Sequence, residues 1–399
     1  MLKQTWRWFG PADTISIPEI RQTGAQGIVS ALHHIPPGEV WSHGEIAKRK
    51  NAIEGREDMP TGLTWDVVES VPVSEAIKTQ TGPINEHINA YKQTLRNLAG
   101  QGVQVVCYNF MPILDWTRTN LAAPMQDGAT AMAFDLIDFC VFDALLLARA
   151  GADDDYGDAM MESARERHAG INDQAKAALV NTVVAGLPGA NDSWTLDDVR
   201  AQLTTYQGID ANQLRSNLID FLAEVVQVAE EVGVRLCCHP DDPPFSLLGL
   251  PRVMSSQDDY LAVLDLVNIP ANGATLCTGS LGVSENFDPV SFVEQLGSRI
   301  HFVHLRNTLR QGPSAGDKHS FHESAHLEGD TDMVATIGAL IGEQNRRLSV
   351  GRMDWQIPMR PDHGHAMLDD FKRNSMPGYP LIGRMRGLAE LRGIMAAMS

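Results

Sequence analysis

The chain has 399 residues, 43% apolar and 21% charged, which is ample material for a large packed core. Acidic side chains number 50 against 32 basic ones, and the resulting net charge of −18 repels polyphosphates and anionic membranes. Neither a nucleic acid nor a membrane surface is therefore an expected partner, whereas a small anionic substrate stays admissible beside a metal ion and a few arginines.

The opening segment, MLKQTWRWFG, lacks the long apolar run of a secretory signal. The most apolar stretch, Leu136–Ala150, carries Asp138, Asp143 and Arg149 and is too short to cross a bilayer. Five cysteines (Cys107, Cys140, Cys237, Cys238, Cys277) are odd in number and widely scattered. They argue against a disulfide framework and for a reducing, cytoplasmic setting.

In chain order, short β-branched or aromatic runs predict strands at Thr5–Phe9, Gly27–Leu32, Leu63–Glu69, Val103–Asn109, Val234–His239, Ala274–Cys277, His301–Leu305 and Gln356–Arg360. Amphipathic stretches between them predict helices, among them Asn85–Gly100, Gln213–Val232, Ser256–Val267, Val290–Leu296 and Thr331–Glu343. Eight strands alternating with helices fit an α/β fold of the (β/α)8 type, a TIM barrel, in one domain over residues 1–399. Some 125 residues separate the fourth and fifth strands, far more than one crossover needs, so 131–206 is expected to be a helical insertion. The Gly-, Ser- and His-rich segment 312–329 is expected to be a mobile loop. No GxGxxG or GxxxxGK[ST] run follows an early strand, so no nucleotide site is expected.

In such a barrel, chemistry is done by residues at the C-terminal ends of strands. Four consecutive strands end in His239, Cys277, His304 and Asp362. Two imidazoles, a thiol and a carboxylate form a complete set of ligands for a divalent transition metal. Softness alone favours zinc, with Mn2+ and Fe2+ open if substrate oxygens complete the shell. Taken singly, each of these residues is more often a cap or a small buried hydrophobe, so it is their common register that points to ligation. Cys237 and Cys238 are expected in the core, with at most one facing the barrel interior.

Around that set, His363 is a candidate proton carrier, Arg306 a candidate partner for a substrate carboxylate, and Tyr379 a phenol on a turn. The competing readings are a histidine supporting a ligand, a salt-bridged arginine and a packed tyrosine. Trp8, His33, Asn109, Asn307 and Arg360 are candidate substrate contacts at strand ends. An aromatic plug is the commoner role for a tryptophan such as Trp8.

With these residues in hand, the chain resembles the mannonate dehydratase family of the xylose-isomerase-like barrels. The matching segments run from the first strand to the last: WRWFGPAD (Trp6–Asp13), ALHHIPPGEVW (Ala31–Trp41), CYNFMPILDWTRT (Cys107–Thr119), CHPDDPP (Cys238–Pro244), CTGSLGV (Cys277–Val283), HFVHLRN (His301–Asn307), FHESAHLEGDTDM (Phe321–Met333) and RPDHGH (Arg360–His365). The resemblance implies dehydration of D-mannonate to 2-dehydro-3-deoxy-D-gluconate with Mn2+, or sometimes Fe2+, in place of the zinc that softness suggests. It implies metal ligation by His239, Cys277, His304 and Asp362, and catalysis by His363 and Tyr379 with Arg306 nearby. It also implies a homodimer. Phe9, where relatives carry Tyr, and Pro380, where Gly is usual, depart from the family pattern. The alternatives are a metal-dependent sugar isomerase or epimerase on the same barrel, and a non-catalytic sugar-acid binding protein.

Overall fold

The computed structural model describes residues 1–114, 116–185 and 194–398. Eight parallel strands close into a barrel: β1 Lys3–Arg7, β2 Gly27–Ser30, β3 Thr64–Glu69, β4 Val105–Tyr108, β5 Arg235–Cys238, β6 Asn272–Cys277, β7 Ile300–His304 and β8 Pro358–Arg360. Each pairs with its neighbours in sequence, and β8 closes on β1 through Lys3↔Pro358 and Gln4↔Met359. This is the (β/α)8 barrel that the alternation of strand and helix predicts, with strand bounds shifted by a few residues at most.

Helices cover the outside, and Ala211–Val232 shows why they form. Asp210 caps its start by accepting from the Gln213 N–H at 2.8 Å. Leu214, Leu218, Phe221, Leu222, Val225 and Val226 repeat at helical spacing and are all buried on one face. Gly233 then ends the helix in the left-handed region (φ 75°), which a side chain would disfavour.

Inside the barrel, Val29, Val67, Cys107, Cys237 and Phe302 form a separate apolar layer. Cys238 instead joins the larger core between sheet and helices, as strand alternation requires. Truncating Phe302 to alanine would cost about 3–5 kcal/mol, since the closed barrel has little freedom to collapse around the void.

Two segments depart from expectation. The stretch between β4 and β5 opens with two antiparallel strands, Asn120–Pro124 and Thr130–Phe134, before its helices begin at Leu136–Cys140. Residues 186–193 of the expected helical insertion lie outside the described residues. The expected mobile loop, 312–329, is largely part of an antiparallel hairpin, Asn307–Ala315 with Lys318–Ser324. That hairpin pairs with Thr130–Phe134 through Phe321↔Phe134 and His322↔Ala133, completing a four-stranded sheet. The Phe134 and Phe321 rings stack at 5.7 Å. Non-local pairing and ring stacking hold this segment, and its small polar composition gives no local sign of either. No described helix is long and apolar enough to cross a membrane.

Candidate active site

Strand alternation builds the mouth of the barrel. Two positions beyond the interior residues Val67, Cys107, Cys237 and Phe302 stand Glu69, Asn109, His239 and His304. Cys277 pairs with His304 across β6 and β7, and His304 with Arg360 across β7 and β8, so these side chains stand level. The result is a polar layer on an apolar floor.

Within it, the donor atoms of His239, Cys277 and His304 all lie within 4.8 Å of one another, and all three residues are buried. His239 Nε2 is 3.1 Å from His304 Nδ1. The other ring nitrogen, His239 Nδ1, lies 2.7 Å from the Pro240 carbonyl, an acceptor for an Nδ1 proton that turns Nε2 toward the cluster. Cys277 Sγ accepts from the Ser280 hydroxyl at 3.2 Å and its backbone N–H at 3.4 Å. Burial pushes the Cys277 thiol up, but hydrogen bonds and charge from His239 and His304 outweigh it and hold the group well below its ordinary value. Burial works the other way on His239, where the adjoining Cys277 prevails and raises it to about 10. His304 Nε2 is buried without a hydrogen-bond partner, 3.4 Å from Glu69 Oε1. A thiolate, two oriented imidazoles and an orphaned ring nitrogen fit a divalent cation.

Asp362 stands beside this trio, not within it. Its Oδ2 is 3.6 Å from His304 Nδ1, while its Oδ1 accepts from Arg360 Nη1 and, at 3.4 Å, from the Tyr379 hydroxyl. Burial works against ionisation of Asp362, yet Arg360, His363 and His304 keep it well below the usual carboxylate range. Its backbone is left-handed at φ 59°, a conformation aspartate tolerates better than most residues.

Arg306 is engaged on all sides. Nε and Nη2 each donate to Glu323 at 2.7 Å, and Nη1 donates to Asp242 at 2.7 Å and to Ser280 Oγ at 3.1 Å. Arg118 bridges the same two carboxylates from the opposite side, 2.9 Å from Asp242 and 2.7 Å from Glu323. His363 Nδ1 lies 3.1 Å from Glu323 Oε1, close enough for an ion pair though not aligned for a hydrogen bond. The His363 and Tyr379 rings meet edge to face at 5.0 Å, and Phe9 packs on Tyr379 at 4.9 Å.

A cavity of about 40 Å3 opens among these groups, its lining including Arg7, Asn109, Trp116, Arg360, His363 and Tyr379. A wider cleft lined by Leu147, Arg149, Tyr206 and Leu248 shares no lining residue with it. Of the candidate contacts, Asn109 and Arg360 face the cavity and His33 stands at its edge, 3.4 Å from Arg7. Trp8 does not line it. Alternation along the chain turns Arg7 and Phe9 inward, and the Trp8 indole donates outward to the Ile15 carbonyl. Asn307 is also spent elsewhere, bracing the carbonyls of His326 and Thr331 at 3.0 Å. Sequence inspection missed Glu69, Asp242, Glu323, Arg118 and Arg7. Glu69 ends β3, so the strand-end rule would have found it, whereas Glu323 reaches the site only through the unforeseen hairpin.

A closed eight-stranded barrel with a buried thiolate–imidazole cluster at its C-terminal mouth defines a TIM-barrel enzyme whose donor set suits a divalent metal ion. Residues 2–399 match the family model described as D-mannonate dehydratase (UxuA). The chain is 53% identical to the mannonate dehydratase of Rhizobium meliloti (strain 1021), covering 100% of this chain and 97% of that one. It is 54% identical to the mannonate dehydratase of Chromohalobacter salexigens, covering 100% and 99%. The crystal structure of mannonate dehydratase from Streptococcus suis serotype 2 superposes with a TM-score of 0.76 at 31% identity, over 100% of this chain and 93% of that one. The chain belongs to the D-mannonate dehydratase family.

Proposed function

We propose that this enzyme removes water from D-mannonate in the barrel-mouth cavity, giving 2-dehydro-3-deoxy-D-gluconate. Family membership supports the reaction. The observation that carries the site is the gathering of His239, Cys277 and His304 beside His363 and Tyr379. Manganese(II) or iron(II), held by those three residues with Asp362, supplies a Lewis acid for the charge that develops when the C2–H bond breaks.

The chain's own residues handle the protons. His363, backed by Glu323, takes the C2 proton on Nε2, and the electron pair of that bond becomes the C2=C3 double bond. Tyr379, whose hydroxyl donates to Asp362, holds the proton that the C3 hydroxyl needs to leave as water. The enol product then ketonises at C2. Because Arg306 is already committed to Asp242 and Glu323, the substrate carboxylate falls to Arg7, which lines the cavity and touches Glu69 and His33. A cytoplasmic homodimer is part of the same proposal, checked by sedimentation of the purified protein.

The test is incubation of metal-stripped protein with D-mannonate and restored Mn2+, Fe2+ or Zn2+, followed by periodate–thiobarbiturate colour for a 2-keto-3-deoxy acid. Colour with Mn2+ or Fe2+ is expected, with only a small residual rate of its formation in His363→Asn. An isomeric sugar acid formed without loss of water would overturn the proposal in favour of an epimerase.

A further inference from the structure

We infer that Glu323 is a positioning residue for His363, so that the hairpin Asn307–Ala315/Lys318–Ser324 contributes directly to proton transfer. The inference rests on the reading of His363 as the base. Glu323 Oε1 sits 3.1 Å from His363 Nδ1, on the opposite side of the ring from Nε2, which lies 3.6 Å from Asp362 Oδ1 in the cavity wall. A carboxylate behind one ring nitrogen selects the tautomer that frees the other as a base and fixes the plane of the ring.

The carboxylate itself is immobilised. Oε1 accepts from Arg118 Nη2 and Arg306 Nη2, both at 2.7 Å, and Oε2 accepts from Arg306 Nε at 2.7 Å. A second link joins the same residue to the loop that carries His363, since His365 Nε2 lies 2.8 Å from the Glu323 carbonyl oxygen. One residue further along, Thr130 and Ala366 exchange backbone hydrogen bonds at 2.9 Å, so the neighbouring sheet strand grips that loop as well. His363 Nδ1 still lacks an aligned hydrogen bond, a common state for catalytic contacts that tighten only with substrate bound.

A double-mutant cycle on the Mn2+-loaded enzyme with D-mannonate separates this role from simple bracing of the arginines. Glu323→Gln is expected to lower kcat about 100-fold, with KM changed less than about twofold, as for other orienting partners of catalytic groups. Bound manganese stays at its original stoichiometry. In a His363→Asn background the same substitution has no further effect, because the group it acts through is gone. An equal further loss in that background overturns the positioning role, as does a raised KM with unchanged kcat. Wild-type turnover by His363→Asn alone overturns the underlying reading of His363 as base, a distinct result. If Glu323→Gln fails to fold, Glu323→Asp keeps the charge for both arginines while drawing back from the ring, and a kcat defect at constant KM is expected there too. Full kcat in a folded Glu323→Asp overturns the inference.

Discussion

Glu69 grips Arg360 at two points, with Oε2 3.0 Å from Nε and Oε1 2.8 Å from Nη2. The pair joins β3 to β8 across the mouth and holds Arg360 where it also meets Asp362. Burial favours the neutral acid at Glu69, yet Arg360, His304 and Arg7 together hold it well below the usual carboxylate range. Glu69→Ala leaves two buried arginines short of a counter-charge, an arrangement that costs about 3–5 kcal/mol. Urea denaturation of the metal-free protein measures it. A loss below about 1 kcal/mol would show that water or a moved side chain takes over from Glu69.

A second stability effect depends on pH. His301 on β7 is buried with Nε2 3.1 Å from the Pro270 carbonyl oxygen. Burial, then the nearby Arg347, lowers its pKa from an ordinary 6.5 to about 3. Between those values the unfolded chain takes up a proton that the folded chain refuses. The contribution of His301 is therefore complete above pH 6.5 and is lost as pH falls toward 3, at up to about 1.4 kcal/mol per pH unit. Comparing wild type with His301→Gln from pH 6.5 to 5, above most carboxylate titrations, isolates the term. The wild type should lose stability more steeply over that range. Parallel curves would place the proton elsewhere.

Metal content tests the cluster separately from turnover. Cys277→Ser keeps the size of the side chain but replaces a thiolate with a hydroxyl that stays protonated at neutral pH. Bound Mn2+ or Fe2+ measured after gel filtration should drop from stoichiometric to trace. Unfolding of the metal-free variant should shift by no more than about 3 kcal/mol, the ordinary range for a single buried substitution. Undiminished metal would remove Cys277 from the proposed ligand set.

The barrel was legible because its eight strands are short β-branched runs, and the period-two rule carried that pattern forward to the side chains at the mouth. His239, Cys277 and His304 converge because each closes such a run. The same rule, applied to Trp6–Phe9, selects Arg7 and Phe9 over Trp8, which chemical interest alone had favoured. Glu323 and Arg118 were hidden for a different reason. Their positions depend on pairing between segments nearly 200 residues apart, as Phe321 with Phe134, and no local window contains that information. A composition rich in Gly, Ser and His then disguises a strand as a loop.

Arg384 offers the last test, on the turn that carries Tyr379. Its Nη2 donates to the Tyr379 carbonyl at 3.2 Å, Nε to the Pro380 carbonyl at 3.0 Å and Nη1 to the Arg7 carbonyl at 3.0 Å. The guanidinium also lies over the Trp6 ring at 4.0 Å and near the Tyr379 ring at 5.2 Å. Burial, only partly offset by Asp13 and Tyr379, lowers its pKa to about 9, so the fork of donors stays charged at neutral pH. Lysine cannot reproduce three divergent donors from a planar head. Arg384→Lys should cost about 1.5–3 kcal/mol in unfolding, the scale of hydrogen bonds made by a charged group. It should lower kcat more than it raises KM, because Tyr379 loses its fixed place while Arg7, Asn109 and Arg360 still line the cavity. A KM effect alone would mean that Arg384 shapes substrate binding, with the tyrosine turn held by Gly378 and the helix that begins at Leu381.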